Sequence, residues 1–438
     1  MLSDFDEAPS AYEQPPGSPG GQKGASSMSV NGAFRDMDRP PAIVVGLDCI
    51  TGLQTARILA GHRVPVIALA TDSGHFCCRT RVCEQIIYVD TEDAGACVEA
   101  LTKLGRELDQ KGALFPCTDM SVLAISRHRE ELRRWFHVTL PPPDALELLM
   151  DKVDFLKLAQ ERELPIPRTV FLTTREDAEE AAMALSYPAV VKPRVKSWEW
   201  QQQGLAKVYR VQEPSELVEL YEEIGSWTDV LVAQEWIDGG DSDLFSCNCY
   251  FDADSTPLVT FVARKLRQWP PEAGTSSLGE ECRNDTVLQE TLRLFESVSF
   301  RGLGYLEMKR DRATGRQYII EANIGRPTGR SAIAEAGGVD LLYCTYCDSV
   351  GLPLPENLVQ RYTGVKWIYL RHDFQSAFLY WRKGKLTLRD WWSSWRGKKV
   401  EAVFSWSDPL PFCHDVISTV AELARRRGHS LRTLSVPD

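Results

Sequence analysis

The stretch "GYLEMKRDRATGRQYIIEANIGRPTGR", residues 304–330, decides the fold. Two strand-like runs flank the turn-forming segment "RATGR" and so predict an antiparallel hairpin. The second run, "QYII", is apolar but continues into Glu321 and Asn323, where turn residues usually follow. Side chains two positions apart on a strand share a face, so Glu321 and Asn323 project together. This pattern indicates a site built at the end of a strand.

A metal ion accounts for the charges on this hairpin. Glu307, on the first strand, is predicted to lie opposite or nearly opposite Glu321. Neighbouring carboxylates on a sheet repel each other unless a cation lies between them, and carboxylate and amide oxygens suit Mg²⁺, or Mn²⁺ in its place. The alternative is that one carboxylate pairs with Lys309 or Arg326. Because Mg²⁺ held by few carboxylates completes its shell with water and phosphate oxygens, a polyphosphate is expected beside it.

The composition is that of a globular protein with more than one domain. The 438 residues exceed what one hydrophobic core usually supports, and 43% of them are hydrophobic and 25% charged. A net charge of −11 argues against a nucleic-acid partner, which normally requires a basic face.

Residues 1–40 are rich in Gly, Pro and Ser and lack the apolar core of a signal peptide, so they are predicted to be a disordered tail. No apolar run is long enough for a spanning helix, and we expect a cytoplasmic protein.

The order of strand-like and helix-like patterns divides the chain. Alternation of the two along residues 41–140 predicts a parallel α/β sheet with crossover helices. Gly46 and Gly52 allow a tight turn after the first strand, but the third glycine of the dinucleotide fingerprint is missing. An α/β domain without a nucleotide, whose strand ends line a substrate cleft, is the favoured interpretation. A second unit of α+β type is predicted at residues 141–348, with a small sheet at about 165–235 and a larger part at about 236–348.

Two lysines occur where a polyphosphate needs positive charge. Lys192 ends the apolar strand "AVVK", where an unpaired ammonium is costly, and Pro193 then fixes the direction of the chain. Lys152 starts the helix that follows a proline-rich boundary. Either lysine alone is more often a surface residue, but their joint occurrence favours phosphate binding.

The segment "VLVAQEWIDGGDSD" leaves the small sheet and indicates a nucleotide-binding linker. Its extended backbone offers N–H and C=O groups to an adenine edge, while apolar side chains cover the base. Asp243 is then placed to take the ribose hydroxyls, and an ordinary connection between two sheets is the alternative. The extended residues of the linker are Glu235, Trp236 and Ile237.

The polar segment "RVKSWEWQQQGLAK" after Pro193 is predicted to close over the triphosphate and exclude water.

In this order, the elements resemble the ATP-grasp superfamily of carboxylate–amine ligases over about residues 41–348. The resemblance implies an N-terminal parallel α/β (pre-ATP-grasp) domain, a two-subdomain ATP-grasp fold and a C-terminal appendage at residues 349–438. It rests on "DK" at Lys152, "VVKP" at Lys192, "QEWI", the Glu307 strand, and "EAN" at Glu321 and Asn323. The roles that it implies are Lys152 and Lys192 for the α and β phosphates, residues 234–237 for adenine, Asp243 for ribose, and Glu307, Glu321 and Asn323 for the magnesium ions.

The catalytic arginine is left open between two positions. Many ATP-grasp enzymes continue from the asparagine as "NPR", whereas "NIGRPTGR" offers Arg326 or Arg330. The resemblance assigns Arg326 to the transferred phosphoryl group and the acyl phosphate. The sequence also looks similar to ATP-grasp ligases related to D-aspartate ligases, including those associated with bacterial surface-polymer synthesis. In that group "ARKLRQWPPEAGTSS" is similar to a phosphate and substrate loop, which adds Lys265 and Arg267.

The reaction that the resemblance implies is acyl activation. ATP phosphorylates a substrate carboxylate, and an amine attacks the acyl phosphate to give an amide, ADP and phosphate. Small-molecule substrates and a homodimer are the implied partners. ATP-dependent carboxylation is an alternative within enzymes, although the chain has no biotin-acceptor "MKM" segment. A nucleotide-binding regulator or scaffold without turnover is the alternative of another class.

The C-terminal segment has a composition of its own. Between Arg361 and Lys399 there are ten Lys or Arg but only two Asp, interleaved with tryptophans. This composition suits contact with an anionic lipid surface, a pocket for an acidic or lipid-linked acceptor, or a small helical subdomain packed on the ligase. The sequence leaves the three open.

Overall fold

The computed structural model describes residues 38–194, 200, 202–206, 208–272 and 274–432, and residues 422–432 as backbone only. Residues 1–37 of the predicted tail lie outside the described residues. The same holds for much of the segment that is predicted to close over the triphosphate.

A five-stranded parallel sheet forms the N-terminal part of the protein. Its strands are β1 (Ala42–Val45), β2 (Val66–Ala70), β3 (Gln85–Tyr88), β4 (Gly112–Pro116) and β5 (Phe136–His137). The helices around it are α1 (Ile50–Gly61), α2 (Ala94–Glu107), α3 (Asp119–Arg127) and α4 (Arg129–Leu132). Both β1 and β2 are buried along their whole length, as apolar runs in a sheet covered on both faces should be. The strand order β3-β2-β1-β4-β5 reverses between β1 and β4, which opens a crevice at the carboxyl ends of these two strands.

Two short helices lead out of this sheet, α5 (Pro143–Met150) and α6 (Lys152–Glu161). Asp151 caps α6, because its carboxylate accepts hydrogen bonds from the backbone N–H groups of Val153 and Asp154. Helix α5 has no side-chain cap of this kind. Pro142 occupies the cap position, and Asp144 lies within the first turn.

The small sheet has four strands in antiparallel pairs. They are β6 (Thr169–Leu172), β7 (Ala189–Pro193), β8 (Tyr209–Val211) and β9 (Leu231–Glu235), in the order β6-β9-β7-β8. Two helices cover one face, α7 (Arg175–Ala184) and α8 (Pro214–Ile224). Their alanine and leucine side chains pack on β7 and β9 in a core separate from that of the large sheet.

The large sheet has seven strands and carries the stretch at residues 304–330. Its strands are β10 (Leu244–Phe251), β11 (Pro257–Trp269), β12 (Thr275–Glu281), β13 (Gly302–Arg310), β14 (Gln317–Ile324), β15 (Lys366–Ile368) and β16 (Lys399–Glu401), in the order β14-β13-β10-β11-β12-β15-β16. The helices are α9 (Asp285–Ser297), α10 (Ala332–Ala336) and α11 (Leu341–Val350). Cys247, Leu306 and Met308 lie in one buried core with Leu294 and Phe295 of α9. On the opposite face, the end that carries Ser246, Asn248 and Glu307 is polar, while Tyr250, Phe261 and Leu303 belong to a second buried core.

The C-terminal extension is built into the large sheet, since it supplies β15 and β16. It continues with α12 (Leu370–Arg382), α13 (Leu388–Ser394) and α14 (Leu410–Arg432). Helix α12 packs against β11 and β12. None of the described helices is long and apolar enough to cross a membrane.

Candidate active site

The polar face of the large sheet brings the predicted metal ligands together. Glu307 pairs directly with Glu321 across β13 and β14, and Tyr305 pairs with Asn323. The hairpin and the register predicted from the sequence are therefore confirmed. Because strand partners share a face, both carboxylates and the Asn323 amide lie on one side of the sheet. Asn323 donates a hydrogen bond of 3.1 Å to Glu321 Oε1.

Glu307 lies between two cations. Lys265 Nζ is 3.1 Å from Glu307 Oε2, and Arg330 Nη2 is 3.7 Å from Oε1. Burial alone would raise the pKa of Glu307, but Lys265 and Arg330 outweigh it and hold the pKa below its ordinary value. Glu307 thus does pair with cations, but not with Lys309 or Arg326, which the sequence offered as its partners. Lys309 instead lies over the ring of Trp236.

Arg326 ties this hairpin to the N-terminal sheet. Its guanidinium donates to Asn323 Oδ1 at 2.7 Å, to the Tyr305 hydroxyl at 3.0 Å and to Asp119 Oδ1 at 2.5 Å. Burial lowers the pKa of Arg326, but Tyr305 and Asp119 outweigh it and raise the pKa, so the charge is retained. Asp119 is the first residue of α3 and lies at the carboxyl end of β4. Arg326 therefore lies where the crevice of the parallel sheet meets the hairpin.

Arg330 is the other candidate arginine, and its guanidinium is only partly satisfied. The residue is 5% exposed, and Nη2 donates to Ser246 Oγ at 3.0 Å. Its Nη1 atom is buried and has no hydrogen-bond partner among the described residues. Buried polar groups are normally hydrogen-bonded, so an unpartnered guanidinium nitrogen beside Glu307 indicates a place for an anionic ligand.

The two residues predicted on β11 diverge. Lys265 faces the site, where its ammonium contacts Glu307 and, at 3.3 Å, Gln268 Oε1. Arg267 is 4% exposed and makes a bidentate ion pair with Asp373 of α12, at 2.7 and 3.0 Å. Its remaining Nη1 donates to Ser394 Oγ at 2.9 Å. With its guanidinium committed to the C-terminal extension, Arg267 does not reach the carboxylates, so the structure does not favour it as a catalytic residue.

The two predicted phosphate-binding lysines both reach the β7 end of the small sheet. Lys192 Nζ donates to Gln234 Oε1 at 3.1 Å, and Gln234 Nε2 donates to Thr169 Oγ1 at 2.8 Å. Lys152 Nζ donates to the carbonyl of Pro193 at 2.9 Å and lies 3.4 Å from that of Arg194. Gln234 therefore orients a lysine and is not turned outward as an adenine contact.

The backbone N–H groups at the start of the linker after β9 are bonded within the protein. The N–H of Glu235 bonds to the Arg168 carbonyl and that of Trp236 to the Pro188 carbonyl. The Glu235 carboxylate accepts from the Ser186 N–H at 3.0 Å. Among the described residues, the N–H of Ile237 has no partner. Of the four predicted adenine contacts, Ile237 is the one whose N–H is available.

Asp243 lies in a tight ionic cluster. It is 1% exposed and accepts hydrogen bonds from Arg310 at 2.6 Å, Arg312 at 2.9 Å and the Gly240 N–H at 3.0 Å. Both carboxylate oxygens therefore have donors, and a ribose hydroxyl would have to displace one of them. The arrangement does not favour Asp243 as the ribose ligand.

Several residues of the site escaped the sequence interpretation. Ser246 and Asn248 alternate with Cys247 and Cys249 on β10. Polar residues at every second position of a buried strand predict a polar face, so the sequence does contain a signal for these two residues. Asp119 gives no such signal, because Arg326 reaches it across 207 positions of the chain.

The arrangement of three sheets is that of the ATP-grasp proteins, and the chain has the ATP-grasp fold. N5-carboxyaminoimidazole synthetase from Staphylococcus aureus, complexed with ADP, matches with a TM-score of 0.57 at 16% identity, over 73% of this chain and 80% of that one. Biotin carboxylase from Campylobacter jejuni matches with a TM-score of 0.59 at 14% identity, over 74% of each chain. The α/β and α+β fold predicted from the sequence is confirmed.

Several of the relatives found by sequence are named as ligases. The chain is 25% identical to the D-aspartate ligase of Enterococcus faecium over 252 residues, which are 54% of this chain and 58% of that enzyme. It is 25% identical to the D-alanine–D-alanine ligase of Ectopseudomonas mendocina over 227 residues, 47% of this chain and 67% of that enzyme. The chain thus spans less than two thirds of the first of these relatives. No protein-family model matches it. The resemblance to D-aspartate ligases is confirmed.

Proposed function

We propose that the chain is an ATP-dependent ligase that phosphorylates a substrate carboxylate and joins it to an amine, giving an amide, ADP and phosphate. One observation carries the proposal: Glu307 and Glu321 lie side by side on one sheet face, next to the buried cations Lys265 and Arg330. Hard oxygen ligands and fixed positive charge at one point are what phosphoryl transfer requires. The similarity to D-aspartate and D-alanine–D-alanine ligases supports the same class of reaction.

The donor set fits Mg²⁺, or Mn²⁺ in its place. Glu307, Glu321 and Asn323 offer only carboxylate and amide oxygens, and Glu321 is exposed on the sheet edge with no cation paired to it among the described residues. The metal supplies neutralisation of charge on the phosphate oxygens when it is bound. Lys265 contacts one oxygen of Glu307, Arg330 lies 3.7 Å from the other, and Arg326 donates to Asn323 Oδ1, so among the described residues Glu321 is the carboxylate of this set that no cation holds.

The protein groups around this face then bind and orient the reactants. We assign the phosphates of ATP to Lys152 and Lys192, and the adenine edge to the free N–H of Ile237. The unpartnered Nη1 of Arg330 is assigned to the substrate carboxylate and the acyl phosphate formed from it. A guanidinium held in place by Ser246 stabilises charge that develops there without having to reorganise.

The reaction proceeds in two balanced steps. A carboxylate oxygen attacks the γ-phosphorus of ATP, the bond to the bridging oxygen breaks, and ADP leaves. The amine nitrogen then attacks the acyl carbon, the C–N bond forms, the C–O bond to phosphate breaks, and the nitrogen loses a proton. Neither step needs a nucleophile from the protein. Lys265 and Arg330 neutralise negative charge in both steps.

Arg330, rather than Arg326, is the catalytic arginine in this proposal. Three acceptors already hold the Arg326 guanidinium, and one of them, Asp119, belongs to the N-terminal sheet. Arg326 therefore acts by fixing the two parts of the site relative to each other.

The experiment is a screen of amino acids and dicarboxylates in pairs for stimulated phosphate release, with mass spectrometry of the product. We expect one pair to give an amide, and Glu321→Ala to abolish ADP release while Glu130→Ala, an exposed control, retains it. Bicarbonate-dependent ADP release without an amine would instead support ATP-dependent carboxylation. Nucleotide binding without turnover under any condition would support a regulator. Unchanged turnover of Glu321→Ala would overturn the metal assignment.

We also propose that the protein is cytoplasmic and forms a homodimer.

We further propose that the protein contacts an anionic membrane through one region of its C-terminal extension, which we term the aromatic-basic surface. That surface combines five side chains that are half exposed or more, Phe374, Phe378, Trp381, Leu388 and Trp392, with the exposed basic residues Arg382, Lys383, Lys385, Arg389 and Arg396. Apolar rings flanked by cations suit the boundary between lipid headgroups and acyl chains. The whole chain has a net charge of −11, so an anionic membrane attracts this basic region and repels the rest of the protein. A lipid-linked acceptor is the other partner that such a surface would take.

A further inference from the structure

Helix α12 of the C-terminal extension reaches the candidate active site through one face. Asp373, Ser376 and Tyr380 are buried at positions i, i+3 and i+7, and each makes a hydrogen bond to the body of the protein. A helix that only covered the sheet would need apolar side chains here. These polar contacts lead toward Lys265.

The first contact runs from Tyr380 to Asp241. The Tyr380 hydroxyl donates to Asp241 Oδ2 at 2.6 Å and accepts from the Glu272 N–H at 3.1 Å. Burial and the neighbouring Asp241 carboxylate raise the pKa of Tyr380, so the hydroxyl keeps its proton and remains a donor. Asp241 follows the linker that contains Ile237, the proposed adenine contact, by four positions in the chain.

The second contact runs from Asp241 through Gln268 to Lys265. Gln268 donates to Asp241 with its backbone N–H at 2.9 Å and with Nε2 at 2.8 Å. Because Nε2 is committed to Asp241, the amide presents Oε1 to Lys265, whose ammonium lies 3.3 Å away. The same ammonium lies 3.1 Å from Glu307 Oε2. Lys265 is 8% exposed, so these two acceptors determine where its charge lies.

The backbone between Lys265 and Gln268 is held independently. The pairing of β11 with β12 shifts register between Lys265 and Arg267, and again between Arg267 and Gln268. Such bulges weaken the local ladder and redirect side chains. Ser376 Oγ donates to the Gln268 carbonyl at 2.6 Å, and Asp373 pairs with Arg267, so α12 clamps the bulged segment.

We propose that α12 is a positioning element of the active site: Tyr380, acting through Asp241 and Gln268, holds the Lys265 ammonium at Glu307. The consequence for catalysis rests on the proposed function, while the effect on Lys265 does not. With Gln268 fixed as a second acceptor, Lys265 stays in the site when Glu307 binds another cation. The C-terminal extension is then part of the catalytic apparatus.

Two variants and their combination test the proposal. Tyr380→Phe removes one hydroxyl at constant shape, and Gln268→Met removes the amide. The control is Gln375→Ala, which changes an exposed position on the same helix. Two quantities are measured in the full chain. One is the rate at which sulfo-N-hydroxysuccinimide acetate acetylates Lys265 without ligands, followed by mass spectrometry. The other is kcat and KM for ATP with the substrate pair found by the screen.

We expect acetylation of Lys265 to become about threefold faster or more in both variants, with Gln375→Ala unchanged. We expect kcat to fall about tenfold with KM for ATP within about twofold, since small misplacements of catalytic groups cost rate. The double variant should be no worse than Gln268→Met, because contacts in one chain are not additive. Unchanged acetylation in both single variants, or additive effects in the double variant, would overturn the proposal. If acetylation rises but the wild type forms no amide, the proposed function fails and the positioning role stands.

Discussion

The ammonium of Lys265 lies 3.1 Å from Oε2 of Glu307, although the two residues are 42 positions apart and their strands are not neighbours. Strand β10 separates β11 from β13, and Ser246 is the β10 residue that pairs with Glu307. A small side chain at this position lets the ion pair form across the intervening strand. The charge balance of the site therefore depends on three strands together.

Replacing Lys265 with Met should destabilise the fold in a pH-dependent way. The folded-state pKa of Glu307 is below its unfolded value, so its stabilising contribution is present above about pH 4.3 and is lost as the pH falls through the folded-state pKa. At pH 7 we expect Lys265→Met to lower the free energy of unfolding by about 1.5–3 kcal/mol, as for other hydrogen bonds to charged groups. Urea unfolding at several pH values measures the difference, with exposed Lys103→Met as the control. If the difference in free energy of unfolding between the wild type and Lys265→Met stays constant down to about pH 3.5, the ion pair with Glu307 is not the cause of that difference.

The two arginines should separate into a catalytic and a tethering role. Arg330→Lys removes the free guanidinium nitrogen, so we expect kcat to fall about 10²–10³-fold, as when one charge-stabilising donor is lost. Arg326→Lys breaks bonds to Asp119 and Tyr305, so the melting temperature should fall while kcat changes less. Steady-state kinetics and thermal melts of both variants decide between them. A larger loss of kcat in Arg326→Lys would return the catalytic role to Arg326.

Nucleotide preference should follow from the Ile237 N–H of the linker. The Ile237 N–H needs an acceptor, which N1 of adenine provides, whereas N1 of guanine carries a hydrogen. We expect ATP to bind at least about 10²-fold more tightly than GTP, since a buried donor left unpaired is costly. Competition of both nucleotides against a fluorescent ATP analogue measures the ratio. Equal affinities would exclude Ile237 as the adenine contact.

Membrane binding should require the aromatic-basic surface. Strands β15 and β16 belong to the large sheet, so truncation would damage the fold, and side-chain replacements are the cleaner test. We expect wild-type protein to pellet with vesicles containing about one third anionic lipid and to be released by high salt. The double variant Phe378→Ser, Trp381→Ser should stay in the supernatant.

The matched control for this test is Trp227→Ser, which alters an exposed tryptophan just before β9 of the small sheet. It should pellet like the wild type. Equal pelleting of wild type and the aromatic variant, or none by the wild type, would remove the membrane contact from the proposal.

The sequence predicted the parts of the site that depend on local periodicity. Glu307, Glu321 and Asn323 follow from a period of two and one hairpin turn, and both are properties of a short segment. The ATP-grasp fold follows from the order of such segments along the chain. Short-range periodicity and the order of segments along the chain are therefore the features from which this structure could be predicted.

The site predictions that the geometry does not favour concern residues whose positions depend on strand register or on distant partners. Arg267 sits in a bulged part of β11, where strict alternation no longer tells which way a side chain points. Its partner Asp373 is 106 positions away and gives no local signal. Asp243 looked free for a ribose because nothing in its own segment reveals Arg310 and Arg312, which reach it from the later hairpin.

The indole N–H groups of Trp391 and Trp395 both donate to the Asp373 carboxylate, at 3.0 and 2.8 Å. That carboxylate is locked to Arg267, two residues from Lys265. Any ligand that shifts this strand alters the polarity around two fluorophores, so the protein carries its own optical reporter. Tryptophan emission should therefore change when substrates are titrated, without the need for an attached dye.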